Sequence, residues 1–360
     1  MRRFRWWIGG GVVVLVAALV AVFVFSGPGT PPGPVRPPGP PGTGPLTIVT
    51  LGDSTLSGEG AGRYTPDTNG TNGDWCHRSP DAAVFETHVP GIVAKVNLAC
   101  SGATSAQVGL GDARQYTEPS QAQQLAQLVK DDHRVAVVVI AVGANDDPHF
   151  SQLVQQCFQA WFVSGSAPCS TTIRATWQDR INAMVPKVVA AVSDVKTVLA
   201  RAGYLPADYQ LVLQSYASPI GPDIPANLQN LNGCPFRTDD LRWFQDQGVP
   251  ALSTGIAKAA TQTGARFLDL SRAGRGHEAC SGGDDVGREW FSRLTLQLND
   301  LADADRASHA LQESFHPNAN GHAEIGRCLT EFLATALPSA ACLAGSDGTL
   351  HPAASLAAPG

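Results

Sequence analysis

Charge is scarce in this chain. Asp, Glu, Lys and Arg supply 16% of its 360 residues, and past Arg2, Arg3 and Arg5 no cluster of Lys or Arg occurs. With a formal net charge of −6, there is no basic stripe for a phosphate backbone, and a nucleic-acid partner is excluded. No two cysteines form a Cys-x-x-Cys pair, which removes the zinc finger and zinc ribbon patterns. There is no internal repeat. The Gly/Pro-rich segment near the N-terminus has no sustained triplet, so collagen is excluded. No spacing of carboxylates singles out a glycosidase-type pair.

The residues that are present divide the chain into four parts. Residues 6–25 are uncharged and reach about 30 Å at 1.5 Å per residue, one hydrocarbon core. The basic flank before them predicts a cytoplasmic N-terminus and export of the remaining chain. A retained membrane anchor over residues 1–26 is expected, with a cleaved signal peptide as the alternative. Residues 27–45 are rich in Pro and Gly without apolar periodicity and read as an extended linker. Residues 46–343 suit one large domain. Residues 344–360 read as an unstructured tail. The 8 cysteines, Cys76, Cys100, Cys157, Cys169, Cys234, Cys280, Cys328 and Cys342, are an even number in an exported chain and predict disulfides. Counting leaves their connectivity open.

Within the domain, apolar runs of strand length alternate with helical periodicity. Strands are predicted at residues 46–51, 92–98, 135–142, 211–214 and 266–270. The third run, nearly all Val, Ala and Ile, has the continuous β-branched character of a parallel strand covered on both faces. Trp177, Ile181, Met184, Val188, Val192, Val195 and Leu199 recur every three or four residues and predict one buried helix face. Pro186 should kink or split that helix. A helix over about residues 236–263 should break at Gly248-Val249-Pro250, and a last one should run from about Ala319 to Ala334. The βαβα alternation gives an α/β fold with a parallel sheet. Residues 57–81 read as a disulfide-tethered surface loop. Asp67 to Asp74 has a faint calcium-loop look, but Gly70 comes too early and Arg78 stands where a bidentate Glu is needed.

Four short blocks carry chemistry. Gly52-Asp53-Ser54 comes directly after the first strand, which lifts a hydroxyl to the carboxyl edge of the sheet. Cys100-Ser101-Gly102-Ala103, Gly143-Ala144-Asn145-Asp146 and Glu313-Ser314-Phe315-His316-Pro317 come next, in that order. Ser54 is the candidate nucleophile and His316 the candidate base. Pro317 keeps His316 out of helical angles, on a loop entering the last helix. His322, one turn on, reads as solvated. Asp53 is assigned to bracing the turn. Trp75, Phe150, Trp161 and Trp290 are candidates for the lining of an acyl pocket, with packing the preferred assignment for each.

These blocks resemble the SGNH hydrolases, or GDSL esterase/lipase family, over roughly residues 46–343. The opening Gly52-Asp53-Ser54-Thr55-Leu56-Ser57-Gly58-Glu59-Gly60 and Cys76-His77-Arg78-Ser79 are similar to secreted actinobacterial members. The resemblance implies a three-layer α/β/α fold on a flavodoxin-like, five-stranded parallel sheet. It implies a metal-free, cofactor-free monomeric esterase or lipase acting on small-molecule, lipid or glycan esters. The implied oxyanion hole is the backbone N–H of Ser54, the backbone N–H of Gly102 and the amide of Asn145. Glu313 stands where the family commonly carries Asp. Either its side chain or a backbone carbonyl there orients His316. The resemblance pairs Cys76 with Cys100, Cys157 with Cys169, Cys234 with Cys280, and Cys328 with Cys342. Two other readings stay open: an O-acyltransferase or deacetylase on cell-wall glycans, and a catalytically silent wall-binding module.

Overall fold

The five apolar runs form β1 (Leu46–Gly52), β2 (Ala94–Asn97), β3 (Arg134–Ala141), β4 (Gln210–Gln214) and β5 (Arg266–Asp269). The computed structural model describes residues 39–130, 132–296, 309 and 311–354. The expected anchor and the linker up to residue 38 lie outside the described residues. Among those described, no helix is long and apolar enough to cross a membrane. The strands are parallel in the order β2-β1-β3-β4-β5, the flavodoxin-like arrangement. β3 is buried along almost its whole length, as its β-branched run requires.

The sheet is longer than expected. β6 (Ser339–Ala344) joins β5 in parallel, and β7 (Leu350–Ala354) joins β6 antiparallel, giving seven strands. Residues 345–354, expected to be an unstructured tail, therefore turn back and pair. The turn is held by Asp347, whose carboxylate accepts from Thr349 N–H at 3.1 Å, and Leu350 is buried beyond it. Residues 355–360 lie outside the described residues. At the other end, the last linker residues pack onto the domain. Arg134 Nε donates to the Pro40 carbonyl at 3.2 Å, and Thr43 Oγ1 to Asp132 at 3.0 Å.

Among the described residues the α-helices are α1 (Ser54–Ser57), α2 (Ser105–Val108), α3 (Gln121–Leu128), α4 (Phe150–Phe162), α5 (Cys169–Ile173), α6 (Trp177–Arg201), α7 (Thr238–Trp243), α8 (Val249–Thr263) and α9 (Ala319–Leu333). All seven residues of the predicted α6 stripe are buried. Pro186 does not split α6. It sits on the exposed face, so the hydrogen bond it cannot make leaves only the carbonyl of exposed Asn182 to water. The expected break at Gly248 is instead a π turn, Phe244–Gly248, joining α7 to α8. A π turn shifts hydrogen-bond partners by one residue and so tolerates the missing N–H of Pro250. The four disulfides are the pairs the resemblance implies: Cys76–Cys100, Cys157–Cys169, Cys234–Cys280 and Cys328–Cys342.

Candidate active site

β1 ends at a glycine because nothing larger fits. Gly52 has φ +143°, and a Cβ there would lie 2.0 Å from the Ala141 carbonyl oxygen. Its N–H and C=O are both taken by the Gln121 amide of α3, at 2.6 and 2.8 Å. The chain then turns into α1, capped by Asp53, whose carboxylate accepts from Thr55 N–H at 3.1 Å and Thr55 Oγ1 at 2.9 Å. Ser54, the first residue of α1, is thereby fixed at the carboxyl edge of β1. β1 lies between β2 and β3, the crevice where strand order reverses and ligands bind in open α/β sheets.

His316 reaches the same point from the far end of the chain. Its Nε2 lies 2.8 Å from Ser54 Oγ. Its Nδ1 lies 3.2 Å from the Ser314 carbonyl oxygen. With the proton on Nδ1 donated to that carbonyl, Nε2 accepts the Ser54 hydroxyl. The loop is pinned on both sides: Ser292 N–H donates to the His316 carbonyl at 2.9 Å and Phe315 N–H to the Ser292 carbonyl at 3.0 Å. Phe315 itself has φ +61°, a strained angle for an aromatic residue, which the pinning maintains. Burial lowers the His316 pKa from its ordinary value, and the negative charge of Glu59 opposes this.

The partner of Nδ1 is therefore a backbone carbonyl, but that of Ser314 rather than Glu313. Glu313 faces Tyr64, whose phenol is raised by burial first and then by the charges of Glu59 and Glu313. Ser54, Gly102, Asn145 and His316 all line one cleft. One N–H of the Asn145 amide is held by the Ala103 carbonyl at 3.2 Å, which leaves the other for an occupant. The cleft holds about 760 Å³, and Phe150, Val154, Phe158, Phe236, Leu294 and Phe315 are among its walls. Asp53 supplies its one carboxyl group among the described residues. A hydroxyl hydrogen-bonded to an imidazole beside N–H donors and an apolar cleft can attack an acyl carbonyl.

Several residues of the site lie outside the assignments made from sequence. Asp146 accepts from Ser105 Oγ at 2.7 Å and Ser105 N–H at 3.1 Å, tying the Asn145 turn to α2 just after Gly102. Tyr216 donates to Asp53 at 2.6 Å and accepts from Ala144 N–H at 3.4 Å. Burial pushes Asp53 up to about 6 against these hydrogen bonds. Tyr216 comes two residues after β4, so its position at a strand's carboxyl edge is a usable signal. Phe150, assigned to packing, lines the cleft. His322 is not solvated. It is fully buried, with Nε2 donating to the Glu59 carbonyl at 3.2 Å, and burial drives it down to about 4. The stretch 57–81 is tethered by Cys76–Cys100 and exposes Asp67 and Thr71 to Gly73, as a surface loop should, but Glu59, Thr68, Asp74 and His77 are buried within it.

Residues 50–324 match the GDSL-like Lipase/Acylhydrolase family. Lipase 2 of Streptomyces coelicolor is 24% identical over 189 residues, covering 51% of this chain and 55% of that protein. The match thus spans about half the length of that relative. The extracellular lipase from Streptomyces rimosus superposes with a TM-score of 0.55 at 22% identity, covering 81% of this chain and 100% of that one. Phospholipase A1 from Streptomyces albidoflavus does so with a TM-score of 0.53 at 19% identity, covering 77% and 94%. At these identities the likeness shows a shared fold.

Proposed function

Because this chain belongs to the GDSL-like lipase/acylhydrolase family, we propose that it is a serine carboxylic ester hydrolase acting outside the cytoplasm on esters with an apolar acyl chain. The observation that carries the reading is the 2.8 Å contact between Ser54 Oγ and His316 Nε2 at the mouth of an apolar cleft. As Ser54 attacks the ester carbonyl, its proton passes to Nε2. The oxyanion is received by the N–H groups of Ser54 and Gly102 and by the Asn145 amide. The imidazolium then gives its proton to the departing alcohol, leaving an acyl-enzyme. Water, deprotonated by the same nitrogen, releases the acid and frees Ser54. The Ser314 carbonyl holds the tautomer that this sequence of transfers needs.

The substrate class is argued from the walls. A cleft within the usual size range for small ligands, with aromatic and aliphatic sides and one buried carboxyl, suits a hydrocarbon chain better than a sugar. Export is supported by the basic flank and apolar run at the N-terminus, by the four disulfides, and by the extracellular lipase among the fold relatives. Residues 1–26 are assigned to a membrane anchor on their sequence alone.

The test is a series of p-nitrophenyl esters from acetate to palmitate, with Ser54→Ala as the blank. We expect kcat/KM to rise beyond butyrate and Ser54→Ala to lose at least about 10⁴-fold. A maximum at acetate, falling away by butyrate, would contradict the acyl-chain assignment and return the glycan deacetylase reading.

A further inference from the structure

Glu59 stands five residues after Ser54 and is wholly buried, yet it does not line the cleft. Its carboxylate is held by His77 Nδ1 at 2.9 and 3.0 Å, by the Tyr64 hydroxyl at 3.0 Å and by Gln312 Nε2 at 2.9 Å. A buried carboxylate is costly unless fully paired, and here three side chains converge on one, two from the stretch 57–81 and one from the far end of the domain. Gln312 belongs to the turn that carries His316, and its amide also donates to the Trp75 carbonyl at 3.1 Å. The next residue, Gly60, stands so close behind the imidazole that a Cβ would meet His316 Cβ at 2.8 Å and the Pro317 carbonyl oxygen at 2.7 Å. The imidazole, meanwhile, has a neutral carbonyl at Nδ1, where a triad would present a carboxylate.

We propose that Glu59 is a positioning residue for the His316 base: a buried anion that holds the imidazole's turn through Gln312 and supplies, from behind, the negative charge that the carbonyl at Nδ1 lacks. This rests on the reading of His316 as the base. When Ser54 loses its proton to Nε2, the imidazolium gains a nearby counter-charge, and it surrenders that proton to the alcohol leaving group. The electrostatics run both ways. Burial lowers His316, and the Glu59 charge opposes it more than any other group. The backbone at Ser314 and Gln312 adds to that opposition, and the charge of His77 on the far side of Glu59 works with burial. Burial raises Glu59, but His77, and then the charge of His316, hold it below the ordinary carboxylate range. The other titratable groups around the pair are Tyr64 and Tyr116, which feel the Glu59 charge, His322, Glu313 beside Tyr64, Asp74 near Tyr116, and Asp81 near His322.

The experiment is the pH profile of kcat and KM for p-nitrophenyl butyrate in wild type, Glu59→Gln and Gln312→Ala, with the His316 imidazole titration tracked by NMR. Glu59→Gln is expected to lower the plateau kcat about tenfold, leave KM unchanged, and move both the acid limb and the imidazole titration to lower pH. Gln312→Ala keeps the charge and loses the tether, so kcat should fall while the acid limb stays in place. An unmoved limb with wild-type kcat in Glu59→Gln, or a loss confined to KM, overturns the proposal. If Glu59→Gln does not fold, wild-type kcat in Gln312→Ala overturns it instead. The parent reading fails separately, by turnover that survives Ser54→Ala or His316→Ala.

Discussion

In the proposed mechanism His316 must be neutral at Nε2 to take the Ser54 proton, so its surroundings set the acid limit of the reaction. Burial disfavours the imidazolium more than Glu59 restores it, and the net direction is downward. Activity is therefore retained as pH falls through the ordinary histidine range of about 6.5 and is lost only below it. A kcat/KM profile whose acid limb lies above that range would contradict this. Asn145→Ala removes one of the proposed oxyanion donors and should cost about 10²–10³ in kcat with little change in melting temperature. Glu313→Ala should keep most activity, because the Nδ1 proton goes to the Ser314 carbonyl. A loss as deep as that of His316→Ala would restore Glu313 to the machinery. Ser54, Gly102, Asn145 and His316 are legible in the sequence because each sits in a short contiguous block after a strand or before a helix. Tyr216, Asp146 and Glu59 are not, because their work is to accept or donate across segments far apart in the chain.

Elements show the same division. The first five strands can be read from their apolar runs. β6 and β7 cannot, because Ala-rich strands at the sheet's end carry little periodicity and depend on β5 and on the Cys328–Cys342 link to α9. By local rule Pro186 and Pro250 are breakers, and packing overrides both. The segment 57–81 has the Gly, Asn and Thr content of a loop, while its buried polar residues find partners only in the folded state. Half-buried Arg78 does the same: it reaches the Leu98 and Ala99 carbonyls at 3.1 and 2.9 Å and pairs with Glu118. Gly60 links this segment to the His316 turn, with φ +85° and no room for a Cβ. Gly60→Ala should displace the imidazole and lower kcat by about tenfold or more with KM little changed. Wild-type kcat would show that the two segments yield to each other.

At the scale of the molecule, a seven-stranded sheet and four disulfides hold together a site whose parts come from both ends of the domain. Its stability should depend on pH through His322. The folded state holds this histidine at about 4, while the unfolded chain protonates it at about 6.5. Between those values the unfolded state binds more protons, so stability falls as pH drops through that window, by up to about 3 kcal/mol. His322→Asn should flatten the pH dependence of the melting temperature there, and an unchanged slope would contradict the assignment. The central claim is that Ser54 is the nucleophile that His316 activates. Its most direct test is fluorophosphonate labelling of the intact protein, with the adduct located by peptide mass spectrometry. The account predicts a single adduct on Ser54, formed at least about 10²-fold more slowly in His316→Ala. An adduct on another residue, or undiminished labelling without the imidazole, would contradict it.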